Sequence, residues 1–584
     1  MSPVQPPPAA TGHGVATLAD IEAFEQAAPL DSRLPARSVW AMLEAAGDRH
    51  ADRPALSFLP EGDPGEPAQT WNHGQLLQHC RRLANWLRAH GVQPTAGVAV
   101  LLPNLPQTYV ALFGSQAAAV VCPISPTLGA AAVAGILLTA GCTVLVTEGP
   151  AQNPAQNSAI WQRACAAAAL APGLLHHVLC VGGVGGDGGL GMPAGVQVHD
   201  FELACGSQRG DRLDFTPAQD LQSPTARFHT GGTTGAPKLA THTQRNQVYL
   251  AWCMGEMVGF DPQDVVLIGL PLFHVHAVIP LSMGPLSRGA HLVLLGPQGF
   301  RHASVIQGFW RIVERFGATC FSAVPTVYAG LLQVPIADAR VGSLRVAFSG
   351  SAPLARQVAQ DVQARTGLVI LEGYGLTEGT CISSLSPLRG ERRIGSIGLR
   401  LPYQSMKVAQ LDAQGRWLAD CAPGEDGHLL INGPNVFAGY ADAAQTAAAF
   451  AAPGWLDTGD LGHCDADGYH WISGRAKDLI KRSGHSIDPQ GVEEALHADP
   501  AVALAAVVAR PDTRAGEVPV AFVSLKPGAQ ADPAQLLAAC RQRLDDPVAA
   551  PVQLTILDQL PLTPVGKLDK VALRARAAAD HNPD

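Results

Sequence analysis

The chain has 584 residues, of which 47% are hydrophobic and 15% charged, and its formal net charge is −9. That length exceeds what one core organises, so two or more domains are expected, and the acidic balance without a long basic run excludes a nucleic-acid partner. Twelve cysteines without a CxxC pair are scattered from Cys80 to Cys540, which excludes a disulfide framework and fits free thiols in a reducing, cytoplasmic compartment.

Residues 1–35 are rich in Pro and Ala and read as a flexible tail. The opening Met1-Ser2-Pro3-Val4-Gln5 has neither a basic nor an apolar signal region, so no signal peptide is expected. Apolar runs such as 117–124 and 130–138 are too short to span a membrane. In 75–90, Leu76, Cys80, Leu83 and Leu87 repeat at helical spacing until Gly91 stops the helix. A buried strand follows at 98–102, and apolar stretches at 109–121 and 143–146 continue the alternation. The glycine-rich run 181–191 contains a formal GxGxxG at Gly183, Gly185 and Gly188. No helix opens after it, as a dinucleotide site requires, so it reads as a surface loop.

The run Thr230-Gly231-Gly232-Thr233-Thr234-Gly235-Ala236-Pro237-Lys238 combines glycines, hydroxyls and a terminal lysine. Glycine lets the backbone approach a ligand, consecutive amides form an anion-binding concavity, and the hydroxyls and lysine add donors. A polyphosphate suits it, although Lys238 does not follow the last glycine as in a Walker A loop. Strands at 265–270, 290–295, 319–324, 344–348 and 369–372 then alternate with helices at 303–316 and 354–366. That pattern predicts an α/β fold of parallel sheets covered by helices, with ligands at strand C-terminal ends, where Ser349-Gly350-Ser351 and Gly373-Tyr374-Gly375 lie. Beyond Gly424 the texture becomes β-rich, with strands at 428–431 and 468–472. Asp465-Ala466-Asp467-Gly468 lacks the remaining ligands of a calcium loop and reads as a hairpin turn. After the charged junction Gly474-Arg475-Ala476-Lys477-Asp478 comes a compact α+β unit. The division is therefore a tail (1–35), a large domain with a β-rich subdomain (36–476) and a small, mobile C-terminal domain (477–584).

Together these stretches resemble the adenylate-forming superfamily, which includes acyl-CoA synthetases, 4-coumarate–CoA ligases, luciferases and peptide-synthetase adenylation domains. Five motifs stand in the family's order: Thr230 to Lys238, Gly373-Tyr374-Gly375-Leu376-Thr377-Glu378, Trp455-Leu456-Asp457-Thr458-Gly459-Asp460, Gly474-Arg475-Ala476-Lys477-Asp478-Leu479-Ile480-Lys481 and Pro564-Val565-Gly566-Lys567. The resemblance implies a carboxylic acid, ATP and CoA as substrates, with Mg²⁺ as the metal, and a two-step reaction through an acyl-adenylate. It assigns the β- and γ-phosphates to Thr230, Gly231, Gly232, Thr233, Thr234, Gly235 and Lys238. Glu378 ligates Mg²⁺, Thr377 contacts the α-phosphate, and Asp460 and Arg475 hold the ribose side. Ser351, Gly373, Tyr374 and Gly375 complete the nucleotide site. Lys567 bridges the carboxylate and the α-phosphate, where an ammonium offsets developing charge.

For the second step the resemblance implies rotation of the small domain about Lys477, which brings Ser483, Gly484 and, less directly, Lys481 to CoA. His274, Val324, Ser349 and Gly350 are expected to wall the acyl pocket, whose apolar character favours an uncharged fatty, alicyclic or aromatic tail. The pair His274-Val275-His276 lacks further clustered ligands for a metal. Gly231 replaces the usual serine, Leu239 a frequent glycine and Gly491 a common glutamate, but no charged group the chemistry relies on is missing. The alternatives are an acyl-AMP ligase loading a carrier-protein phosphopantetheine, or a catalytically silent nucleotide-binding regulator. A homodimer is compatible with either.

Overall fold

The computed structural model describes residues 15–150, 158–184, 191–230, 237–544 and 546–579. Two large sheets form the body of the chain. The first has eight strands in the spatial order Gly439–Tyr440, Lys238–Thr243, Pro224–Thr230, Val120–Pro123, Gly97–Leu101, Cys142–Glu148, His177–Val181 and Gln197–Asp200. From Pro224–Thr230 onward its pairings are parallel, whereas Lys238–Thr243 and Gly439–Tyr440 add antiparallel strands at one edge. The second has nine strands, with a parallel centre running through Ile370–Tyr374, Val346–Ser349, Cys320–Ala323, Val265–Ile268, His291–Leu294 and Pro54–Phe58.

One core joins side chains of both sheets, such as Val98, Val121, Leu267 and Phe321, with the helices Pro106–Ala118 and Gln244–Val258. Both helices are buried at most positions, so neither shows the one-sided apolar stripe of a surface helix. Helix Ala303–Phe316 does, burying Val305, Phe309, Trp310, Ile312 and Val313. Helix His73–Ala89 starts at Asn72, whose side chain accepts from Gln75 N at 2.7 Å while the Gln75 side chain reaches back to Asn72 N.

A six-stranded antiparallel sheet forms the β-rich subdomain. Its strand Trp455–Cys464 pairs with His470–Arg475 around the hairpin turn at Asp465–Gly468, and Arg393 pairs with both Asp465 and Asp467 there. The small C-terminal domain has a five-stranded sheet built on Val502–Asp512 and Gly516–Leu525, covered by Pro489–His497, Pro533–Arg543 and Lys570–Ala579. Its cores, around Val507 and Phe522, are separate from those of the large domain.

One sequence expectation changes. The stretch 1–35 is not a tail over its described part: Leu18–Ala27 is a helix, closed at its start by a Thr17–Asp20 capping box. Ile21 is fully buried with Leu399 and Tyr469, and Glu25 pairs with Arg400. Of the glycine-rich run, Gly182 and Gly183 adopt positive φ, and 185–190 lie outside the described residues.

Candidate active site

The parallel strand Ile370–Tyr374 delivers Tyr374 at its C-terminal end, and the Tyr374 hydroxyl donates to Asp460 Oδ2 at 2.6 Å. Asp460 pairs across its hairpin with Arg475, whose Nε lies 2.7 Å from Asp460 Oδ1. The carboxylate is 5% exposed, so an unpaired charge there would be costly; the half-exposed guanidinium opposite supplies the compensation. Each carboxylate oxygen has two acceptor sites, so one on each remains for the hydroxyls of a ribose. Burial first, and then the Asp460 charge, pushes the Tyr374 phenol well above its usual range, which keeps it a donor.

Directly after Tyr374 the chain folds sharply over itself. A Cβ on Gly375 would lie 1.4 Å from the Cys381 carbonyl oxygen, so only glycine fits. The short turn Thr377–Gly379 follows, and Thr380 and Cys381 take φ of 59° and 119°, a left-handed region that is strained for non-glycine residues. Thr380 Oγ1 donates to Asn435 O at 2.5 Å, which fixes this conformation from the β-rich side.

Glu378 projects from that turn and accepts the Tyr440 hydroxyl at 2.6 Å through Oε1. The Lys238 ammonium stands 4.9 Å from the centroid of the Tyr440 ring, a cation–π arrangement. Tyr440, which the sequence reading did not single out, therefore touches both the lysine that closes the phosphate loop and the proposed metal ligand. Thr230 and Lys238 face each other as paired residues at the mouth of that loop. Gly231, Gly232, Thr233, Thr234 and Gly235 lie outside the described residues.

The Glu378 carboxylate accepts one hydrogen bond and joins no ion pair among the described residues, and no group of three metal-ligating side chains occurs there. One carboxylate with open lone pairs suits Mg²⁺, which is usually held by one or two carboxylates together with substrate phosphates and water. The donor set thus fits the expected ion.

Lys567 reaches the site from the small domain on a tight turn. Its backbone N donates to Thr563 Oγ1 at 3.1 Å, and Thr563 N donates to Lys567 O at 2.7 Å. Thr326, on the large-domain helix Pro325–Leu331, donates to Gly566 O at 2.7 Å and pins the turn across the domain boundary. Burial, reinforced by the Arg475 charge, lowers the Lys567 ammonium to about 8, against the opposing pull of Asp460. His274 and His276 stand close enough to feel that ammonium. Burial first, then Lys567, drives His274 well below its usual range and His276 to about 4, so both are neutral. His276 Nε2 lies 2.9 Å from Ser322 Oγ, whose proton goes to Phe348 O.

The other expected pocket residues divide. Val324 is buried at the start of helix Pro325–Leu331, where a Cβ on Gly566 would come 3.2 Å from its Cγ2. Gly350 has a Cβ direction that ends 3.5 Å from His276 Cε1, which places it beside the histidines. Ser349 is in register with Ala323 and Glu372, hence on the sheet face opposite Ser322; its buried hydroxyl has no partner among the described residues. Ser351 sits at φ 72°, just past the strand end.

The expected CoA and hinge residues are elsewhere in this conformation. Ser483 and Gly484, at φ 50° and 88°, form a two-residue hairpin turn of the mirror-image kind between Ile480–Arg482 and His485–Ile487. Both are exposed, as are Lys477 and Lys481. The Lys481 ammonium bonds Ser486 Oγ at 2.7 Å, and Ser483 N bonds Ala515 O at 2.7 Å.

A lysine from a small domain, a buried aspartate–arginine pair and an open carboxylate bonded to Tyr440, over which Lys238 stands, are the groups expected of an adenylate-forming enzyme. The chain belongs to the AMP-binding enzyme family: residues 43–441 match that family and residues 491–567 match its C-terminal domain. It is similar to the marinolic acid–CoA ligase of Pseudoalteromonas sp. (38% identity, 96% of this chain, 84% of that one). It is also similar to the sulfoacetate–CoA ligase of Cupriavidus necator (32% identity, 90% and 96%). Among solved structures, ATP-bound MatB from Rhodopseudomonas palustris superposes with a TM-score of 0.78 at 26% identity, covering 94% of this chain and 100% of that one. Among the described residues no helix is long and apolar enough to cross a membrane.

Proposed function

We propose that this AMP-forming acid–thiol ligase joins an uncharged fatty, alicyclic or aromatic acid to ATP, releasing pyrophosphate, and then passes the acyl group from AMP to the thiol of CoA. The observation that carries the first half is the placement of Lys567 beside Arg475, Asp460 and the neutral His274. An ammonium there meets the acid's carboxylate and the α-phosphate as charge builds on the phosphoryl oxygens. Asp460 and Arg475 orient the ribose, Thr377 the α-phosphate, and Thr230 to Lys238 the leaving pyrophosphate. When bound at Glu378, Mg²⁺ neutralises phosphate charge. His274, His276, Val324 and Gly350 border the acyl end, and their neutrality supports an uncharged tail.

In this reading the small domain begins near Lys477, and its rotation exchanges the Lys567 turn for the Ser483-Gly484 turn when the thiol attacks. The test is AMP and thioester formation by mass spectrometry, for a panel of acids with ATP and Mg²⁺, with and without CoA. Acyl-CoA formed from one class of uncharged acid bears the proposal out. Adenylate that accumulates without transfer to CoA points to a carrier-protein thiol, and turnover restricted to dianionic acids overturns the proposed substrate class.

A further inference from the structure

Lys238 and Glu378 must act on one triphosphate, yet they stand on separate elements, the strand next to the edge of the first sheet and a turn beyond the second. We infer that His242 is the positioning residue that fixes these two elements against each other. This inference rests on the reading of Glu378 as the Mg²⁺ ligand.

Lys238, Ala240 and His242 alternate along the strand Lys238–Thr243 and so share one face. Along that face the Lys238 ammonium meets the Tyr440 ring, Ala240 packs with Leu376 and Phe437, and His242 Nε2 lies 2.7 Å from Thr377 O. The bonded carbonyl belongs to the residue next to Glu378.

The tautomer follows from the partners. A carbonyl only accepts, so Nε2 carries the proton and Nδ1 keeps its lone pair. Gln247 Nε2 donates to that lone pair at 3.4 Å. The Gln247 amide is oriented in turn, because its Oε1 accepts from Gln116 Nε2 at 2.6 Å, and Gln116 Nε2 also donates to Thr225 Oγ1 at 3.1 Å. His242 and Gln247 are fully buried, and burial holds the imidazole neutral, with its pKa near 4. A hydrogen-bonded chain thus runs from helices Pro106–Ala118 and Gln244–Val258 to the backbone of the Glu378 turn. Such networks rigidify what they join. No local pattern in the sequence marks His242 for this task.

The test compares His242→Leu, His242→Gln and Glu378→Gln in the full-length protein. ATP is titrated by calorimetry with and without Mg²⁺, and ATP–pyrophosphate exchange is followed in parallel. His242→Leu is expected to shrink the Mg²⁺-dependent gain in ATP affinity about tenfold, since it removes the bond that ties the Thr377 carbonyl to the strand and leaves that carbonyl only the 3.0 Å bond from Thr380 N within its own turn. The KM for the acid should stay unchanged. His242→Gln, which retains an N–H at similar reach, should recover most of the gain. A folded His242→Leu protein with the wild-type gain, or a glutamine variant as impaired as the leucine one, overturns the inference. If the leucine variant fails to fold, Gln247→Leu serves instead: a gain reduced about threefold supports the inference, and an unchanged gain overturns it. Loss of the gain in Glu378→Gln alone overturns the positioning role while sparing the metal site. An unchanged gain in Glu378→Gln overturns the metal reading itself.

Discussion

On the proposed mechanism Lys567 has to be charged to act, and yet it sits where charge is disfavoured. Its ammonium, lowered to about 8, is present at neutral pH and lost above it. The adenylation rate should therefore fall as pH rises through about 8, and Lys567→Arg, charged at all these values, should flatten the alkaline limb even at a reduced rate. Stability runs the other way. The unfolded chain holds its proton up to the ordinary lysine range, so between about 8 and that range it binds more protons than the native state, and stability from this group rises with pH. Lys567→Ala should cut adenylation by about 10²–10³-fold, the size expected for removing one preorganised charge stabiliser, with ATP affinity retained. An unchanged exchange rate would remove Lys567 from the chemistry. Tyr440→Phe is the milder probe: the ring stays under Lys238 and only the hydroxyl on Glu378 goes. We expect a rise of about threefold in the Mg²⁺ concentration for half-maximal exchange, with the melting temperature little changed, because the lost bond is one of several that orient the turn. The charged groups of the proposed site, Lys567, Glu378, Asp460 and Arg475, could be picked out in the sequence because each stands in a short glycine-marked motif. Tyr440, His242 and Thr326 were not, since each acts through a partner distant in the chain.

At the scale of elements, legibility follows burial. Helix Ala303–Phe316 has the limits read from its sequence because one face is wet and the apolar stripe is visible. Helices Pro106–Ala118 and Gln244–Val258 lie inside the shared core, where the polar face that would reveal a helical period is missing. Helix Leu18–Ala27 was hidden for a different reason: its alanines and the prolines before it suggest a tail, and its order comes from Leu399, Tyr469 and Arg400, far along the chain. Its contribution can be measured. Ile21 is fully buried, so Ile21→Ala should cost about 2–5 kcal/mol, read as a lowered melting temperature by calorimetry. A variant that melts as the wild type does would mean that the helix packs without stabilising the large domain. The sharp turn after Tyr374 makes the opposite case, where a single glycine decides an element: with Cys381 O occupying the space of a Cβ, Gly375→Ala must move either the Tyr374 side or the Glu378 side of the site.

For the whole molecule the decisive contact is the one between domains. The Lys567 turn is bonded to the large domain while the Ser483-Gly484 hairpin is exposed, so on the proposed mechanism the small domain here offers the large one its adenylating face. One side-chain bond across the boundary, Thr326 Oγ1 to Gly566 O at 2.7 Å, holds that face directly beside Lys567. Gly566, at φ 84°, has its Cβ direction pointing at Val324, so the turn fits closely as well as being bonded. Thr326→Val keeps the shape and removes the donor. A bond of this kind contributes about 0.5–1.5 kcal/mol. If it stabilises only the adenylating arrangement, its loss should slow acyl-adenylate formation roughly twofold to tenfold. Thioester formation from supplied acyl-adenylate and CoA should be unchanged or faster, because the competing arrangement is relatively favoured. Single-turnover measurement of the two half-reactions separates these effects. Equal slowing of both would mean that Thr326 supports the fold of its helix and not the choice between domain arrangements. A slowed first half-reaction with an intact second would place the control of that choice in one hydroxyl, bonded to the residue that precedes Lys567.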